Sequence, residues 1–217
     1  MRIGICSTDL YCSTGFGFAL RALVMYFAAL CFSLVWGGTC RAEFVGSIRW
    51  FEAPKIVIHK STQTLELIEN GKSKAYRVCL GLNPVGPKRV TGDKRTPEGD
   101  YFICLKSNQS NFHQFLGISY PGEHDAQRAF ERGQISLDTR DNIVRSIRAK
   151  RQPPWDTKLG GWVGIHGYPT KWYQKMWITL LYPKPHNWTD GCIALWDFEI
   201  EELFSRVSVG TPVTILP

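Results

Sequence analysis

Thr64-Leu65-Glu66-Leu67-Ile68-Glu69-Asn70-Gly71-Lys72 alternates side chains along a strand and then turns on Asn-Gly. Successive strand side chains point to opposite faces, so Leu65 and Leu67 share one face and Thr64, Glu66 and Ile68 the other. Asn70-Gly71 suits a two-residue hairpin loop, whose central residues both need positive φ. Residues 75–80 are the expected partner strand. Further short strands are expected at 56–59, 100–105, 115–119 and 212–216. Gly161-Trp162-Val163-Gly164-Ile165 reads as a buried strand that delivers His166 at its end. Residues 84–99 hold Pro84, Gly86, Pro87, Gly92, Pro97 and Gly99, which exclude regular structure. Helices are expected at 123–132, stopping at Gly133, and at 138–150, stopped by Pro153-Pro154. A third is expected at 198–207, capped by Asp197, with Glu199, Glu201 and Glu202 in its first turns. Residues 172–181 fit helix or strand. The fold class is mainly β with a few helices, α+β.

The first forty residues differ from the rest. Ala22 to Trp36 is apolar apart from Ser33, preceded by Arg21 and followed by Gly37-Gly38-Thr39-Cys40-Arg41-Ala42. The run is short of the roughly 20 residues that span a bilayer. A basic flank, an apolar core and small residues at the exit outline a secretory signal, so residues 1–42 read as a signal peptide or membrane anchor. Residues 43–53 read as a linker. Membrane contact is expected only through the amino-terminal segment, and the rest of the chain in the cell envelope. Export leaves Cys79, Cys104 and Cys192, an odd number. A disulfide between Cys79 and Cys104 and two buried thiols both fit; Cys192 remains over in either case.

The net charge is +7 among 217 residues. The densest basic stretch, 140–151, is diluted by Asp138 and Asp141 and lacks interleaved aromatics, so no nucleic-acid partner is expected. Five histidines are present, but none has the H-x-x-x-H spacing of a zinc ligand pair, so neither metal nor organic cofactor is expected.

His166-Gly167 and Thr189-Asp190-Gly191-Cys192 carry the chemistry. A thiol is a weak nucleophile until deprotonated, and a neighbouring imidazole lowers its pKa. Acyl transfer also needs backbone N–H groups aimed at the oxyanion. His59, His113, His124 and His186 lack a comparable setting. The Gly92–Tyr101 stretch reads as a structural turn.

Three blocks resemble the YkuD-type L,D-transpeptidase catalytic domain, which rebuilds bacterial peptidoglycan. The first is Gln63–Leu67 with Glu69-Asn70-Gly71-Lys72. The second is Gly92-Asp93-Lys94-Arg95-Thr96-Pro97-Glu98-Gly99-Asp100-Tyr101. The third is Ile165-His166-Gly167 with Thr189-Asp190-Gly191-Cys192-Ile193-Ala194-Leu195. The resemblance runs over residues 54–217 and implies an L,D-transpeptidase-like β-sandwich. It implies that Cys192 attacks the amide between a diamino acid and D-alanine in a tetrapeptide stem, expelling D-alanine and leaving a thioester. An amine acceptor then takes the acyl group. His166 is the implied base, with its imidazole oriented by the Gly167 carbonyl. Gly191 and Cys192 supply oxyanion N–H groups, and Thr189, Asp190 and Tyr120 are expected at the substrate. Peptidoglycan stem peptides are the implied partner, and a carbapenem the implied inhibitor.

Two departures bear on this. Asp190 stands where the family motif has His, and Ala194 where it often has Arg. A branch with such changes resembles hydrolases, so an L,D-carboxypeptidase or amidase is the alternative, and a catalytically dead envelope-binding module a third. Cys192 follows His166 by 26 positions, longer than usual in the family, which implies an insertion between Tyr168 and Trp188.

Overall fold

A computed structural model describes residues 52–181 and 187–217. The amino-terminal apolar run, most of the expected linker and His186 lie outside the described residues. Among those described, no helix is long and apolar enough to cross a membrane.

The elements in chain order are β1 (Lys55–His59), β2 (Thr64–Glu69), β3 (Lys72–Arg77), β4 (Gly99–Ser110), β5 (His113–Ile118), α1 (Glu123–Glu131), α2 (Leu137–Arg148), β6 (Gly164–His166), α3 (Trp172–Leu181), β7 (Ile193–Ala194), α4 (Asp197–Arg206) and β8 (Pro212–Leu216). The strands join in the order β3-β2-β1-β8-β4-β5-β6-β7. β1–β8 and β6–β7 are parallel; the remaining pairs are antiparallel.

The Asn-Gly turn forms as expected. Glu69 pairs with Lys72, with φ of 51° at Asn70 and 71° at Gly71. β3 begins at Lys72 rather than at residue 75. Its first four side chains are exposed, so hydrogen bonding to β2 starts it before any apolar signal. Leu65 and Leu67 enter the core, while Thr64, Glu66 and Ile68 are half-buried.

β4 is the long strand that belongs to both halves of the sheet. Gly99–Phe102 pair with β8, and from Ile103 onward β4 pairs with β5 through two register shifts. Such irregularities bend a strand. Both halves contribute to one core, which includes Ile58, Leu65, Ile103, Leu116, Ile165, Ile193 and Ile215. The chain after β3 then reaches the far edge, where Cys79 bridges Ala194 and Gly81 bridges Thr189. The segments holding His166 and Cys192 therefore sit where the two ends of the sheet meet.

Residues 172–181 are helical. α3 carries exposed Trp172, Met176, Trp177 and Leu180, inside the insertion expected from the 26-position spacing. α4 starts one residue earlier than expected. Trp196 is its N-cap residue, and the Trp196 N–H donates to Glu199 at 3.1 Å. Asp197 is thereby freed for other partners. In the basic stretch Arg140 pairs with Asp141, and Arg148 with Glu123 on α1.

Candidate active site

In the parallel pair β6–β7, Ile165 lies beside Ile193 and His166 beside Ala194. Ile165 and Ile193 are sealed in the core. Alternation turns His166 to the opposite face. By the same alternation Cys192, the residue before β7, falls on the same side as His166, two positions apart along the strand direction.

His166 is 3% exposed. Its Nδ1 lies 2.6 Å from the Gly167 carbonyl oxygen. A carbonyl only accepts, so Nδ1 carries the proton and Nε2 is the basic nitrogen. Phe112 packs on the ring at 4.6 Å between centroids, and Trp188 lies edge-on at 5.8 Å. Burial lowers the imidazole pKa to about 4, with the Gly167 carbonyl opposing. The Gly167 peptide is itself pinned. Its N–H donates to the Phe112 carbonyl at 3.1 Å, and the Tyr168 N–H donates to Asp197 Oδ1 at 2.8 Å. Lys175 of α3 pairs with the other Asp197 oxygen. A Cβ on Gly167 would stand 2.8 Å from Asp197 Oδ1 and 3.1 Å from His113 Cβ, so a larger residue would have to push the Asp197 carboxylate aside.

Cys192 is half-buried, and its S–H donates to the Trp162 carbonyl at 3.4 Å. Burial raises the thiol pKa to about 11; the Gly164 N–H and Lys88 pull it down, and Asp190 pushes it up. No hydrogen bond joins the sulfur to the imidazole among the described residues. An imidazole-lowered thiol was the expectation, and the structure corrects it. Both groups are desolvated, neither is offset by an ion pair, and both are neutral near pH 7.

The turn before Cys192 is closed by Thr189. Its hydroxyl donates to the Cys192 carbonyl at 2.7 Å and accepts the Gly191 N–H at 3.2 Å. Thr189 was expected to contact substrate, but it is buried and occupied within the turn. The Gly191 N–H, expected at the oxyanion, is engaged by that hydroxyl. The Cys192 N–H has no backbone partner among the described residues. Gly191 has φ +130°, and a Cβ there would lie 2.6 Å from the Arg95 carbonyl oxygen. The backbone of 93–96 therefore packs directly on the turn, which gives the Gly92–Tyr101 block its structural purpose. Thr96 Oγ1 accepts the Gly81 N–H at 3.0 Å. Asp93 accepts the backbone N–H groups of Arg89, Val90 and Arg95. From below, the buried Lys60 ammonium donates to the carbonyls of Gly86 and Thr96 and to Glu98.

Tyr120 was also expected at the substrate. It is wholly buried, and its hydroxyl donates to the Leu159 carbonyl at 3.2 Å, so it supports the cleft from within. Asp190 is exposed. With Cys192 it lines a cleft of about 840 Å³ whose other walls include Lys88, Trp155, Asp156, Gly161 and Trp162.

Three residues of this region escaped the sequence reading. Trp162, at φ 56°, holds the thiol through its carbonyl and lies against Trp155 at 4.7 Å. The Gly160-Gly161 pair was its one signal, because Trp155 fills the space of a Cβ on Gly161. Asp197 resembled a helix cap, and Lys88 resembled any lysine in a loop. Cys79 and Cys104 are free, and burial raises both pKa values, Cys104 to about 12. Among the described residues no three metal-ligating side chains gather.

Comparison with known proteins gives a consistent result. The YkuD family model, the L,D-transpeptidase catalytic domain, matches residues 53–215. Putative L,D-transpeptidase YafK of Escherichia coli strain K12 is 29% identical over 85 residues, 35% of this chain and 34% of YafK. The alignment thus spans about a third of that curated relative. Among solved structures, the helical cell shape determining protein Pgp2 of Campylobacter jejuni gives a TM-score of 0.46 at 19% identity, over 76% of this chain and 49% of that one. An L,D-transpeptidase of Mycobacterium smegmatis gives 0.42 at 13% identity, over 76% and 59%.

Proposed function

The chain belongs to the YkuD family of L,D-transpeptidase catalytic domains, and on that premise we propose that it is a peptidoglycan L,D-transpeptidase with Cys192 as nucleophile and His166 as base. The observation that carries this reading is the shared face of β6 and β7, with the imidazole locked to the Gly167 carbonyl at 2.6 Å.

Because thiol and imidazole are both neutral at rest, proton transfer accompanies attack rather than preceding it. The S–H leaves the Trp162 carbonyl and turns to His166 Nε2. The sulfur adds to the carbonyl of the diamino acid as the proton passes to Nε2. The carbonyl oxygen becomes an oxyanion, which the Cys192 N–H accommodates. Imidazolium then returns the proton to the departing D-alanine nitrogen, and a thioester remains on Cys192. In the second half an acceptor amine attacks the thioester, with Nε2 taking a proton from the amine. The amide product leaves and the thiol is restored by that proton. A buried imidazole with a pKa near 4 is unprotonated and so available at neutral pH, but it is a weak base whose charged form is unfavourable, which drives the proton onward to the leaving amine. The sequence at 1–42 supports action in the cell envelope, reached through a signal or anchor.

One observation favours a second reading. Asp190, in the cleft wall beside Cys192, offers a carboxylate that can hold a water against the thioester, and the outcome is then L,D-carboxypeptidase or amidase activity. Purified protein incubated with a tetrapeptide stem, with and without an acceptor amine, separates the two. Cross-linked product is expected for the transpeptidase; trimmed stems alone, at every acceptor concentration, would assign hydrolysis. A carbapenem adduct on Cys192 would dismiss the catalytically dead module.

A further inference from the structure

Lys88 is the buried cation of the cleft. Its side chain is only 4% exposed. Nζ donates to Asp93 Oδ1 at 2.8 Å and to the Val90 carbonyl at 3.1 Å. An ammonium has three protons, and the third has no acceptor among the described residues. The head group lies against the catalytic turn: Nζ is 3.8 Å from the position of a Cβ on Gly191, and Cε is 3.7 Å from that on Gly160. Lys88, Gly160, Asp190 and Cys192 line one cleft.

A buried ion pair is weak as a stabilising device, since an apolar pair of similar volume is often as good. A donor left unsatisfied within it adds to the cost. The exposed Lys94 brings positive charge to the same cleft without that cost. The position of Lys88, with one N–H unspent beside the nucleophile, therefore suits a ligand rather than the fold. An anion that accepts hydrogen bonds meets such a proton most strongly.

We propose that Lys88 binds a carboxylate of the peptide stem and so sets the scissile carbonyl against Cys192. The inference rests on the acyl-transfer reading above and adds a substrate-binding residue to it. Asp190 repels a carboxylate from its own part of the cleft and the exposed Lys94 keeps its hydration, which leaves Lys88 as the desolvated donor for one. A tetrapeptide stem offers two sources of the same chemistry: the carboxylate of the terminal D-alanine, and the side-chain carboxylate of a diaminopimelate-type third residue.

The test measures equilibrium binding to the full chain carrying Cys192→Ala, so that no turnover is needed. The ligands are a diaminopimelate-containing tetrapeptide, its D-alanine amide, and the tetrapeptide with lysine at the third position. One of the two altered peptides is expected to bind about tenfold or more weakly than the parent, as suits loss of a charge-assisted hydrogen bond. That peptide identifies the carboxylate. Adding Lys88→Met is expected to weaken the parent by a similar factor and leave that altered peptide unchanged. Lys88→Arg keeps the charge and is expected to restore most of the parent affinity. Equal weakening of all three peptides, unchanged binding of all three, or no binding of the parent would overturn the proposal. Should Lys88→Met fail to fold, the Nζ resonance of Lys88 in the Cys192→Ala protein replaces it; a resonance unmoved by the parent peptide overturns the proposal equally. The acyl-transfer reading fails on a different readout, the absence of a thioester on the native chain.

Discussion

A histidine that is buried and neutral behaves differently from one that pairs with a thiolate, and the difference is measurable. The His166 pKa is depressed from 6.5 to about 4. Between those values the unfolded chain binds the proton and the folded chain does not, so His166 destabilises the fold as pH drops through that window. At about 1.4 kcal/mol per unit the full effect is on the order of 3 kcal/mol. Urea unfolding at several pH values between 7 and 4 is expected to show this loss in the native chain and a shallower one in His166→Asn. Identical slopes would contradict the burial. At Cys192, with its thiol at about 11, the alkylation rate by iodoacetamide is expected to climb steadily from pH 6 to 10. A plateau near neutrality would reveal a thiolate–imidazolium pair instead. The two candidate reactive residues were named from the sequence, and the contact of the histidine with the Gly167 carbonyl is as expected there. Their resting charge state was not, because it depends on desolvation by Phe112, Trp188 and the backbone around Trp162, which distant parts of the chain supply.

The catalytic turn and the loop beneath it form one mechanical unit. Gly191 combines positive φ with a close approach to the Arg95 carbonyl. Gly191→Ala is therefore expected to cost about 1–3 kcal/mol of stability and at least about a hundredfold in turnover, since the turn must move; turnover within threefold of the native chain would show that it need not. Lys60→Met removes three hydrogen bonds from 86–98 and strands Glu98, which is 18% exposed. A loss of about 3 kcal/mol is expected, with new proteolytic cuts confined to 84–99; cuts elsewhere would contradict the role of Lys60 as the support of that loop. Sequence patterning found the elements whose signal is local. The β2–β3 hairpin follows from Asn70-Gly71, α1 stops short of Gly133, and 84–98 is irregular because of its prolines and glycines. It misjudged elements set by partners. β3 and β4 run beyond their apolar residues because ladder hydrogen bonds extend them, and α4 takes its cap from Trp196 because the Asp197 carboxylate is drawn to Tyr168 and Lys175.

Across the molecule, a bent β4 closes the two halves of the sheet over one core, and the segments holding His166 and Cys192 meet at the closing edge. Alternation along β2 made that core legible at Leu65 and Leu67. The cleft was not legible, because its walls come from 88–94, 155–163 and 190–192, which only the closed sheet brings together. For the same reason Tyr120 and Thr189 proved to be supports. The 26-position spacing was legible, but the helix within it, α3, was not, because its apolar side chains gave no helical pattern. The most direct test is acylation of the native chain by a tetrapeptide stem, quenched in acid and followed by intact mass and peptide mapping. The mass is expected to rise by that of the stem less D-alanine, on the peptide containing Cys192, and not at all in Cys192→Ala. Release of D-alanine with Cys192 unmodified, or a stem attached to another residue, would contradict nucleophilic catalysis by this thiol.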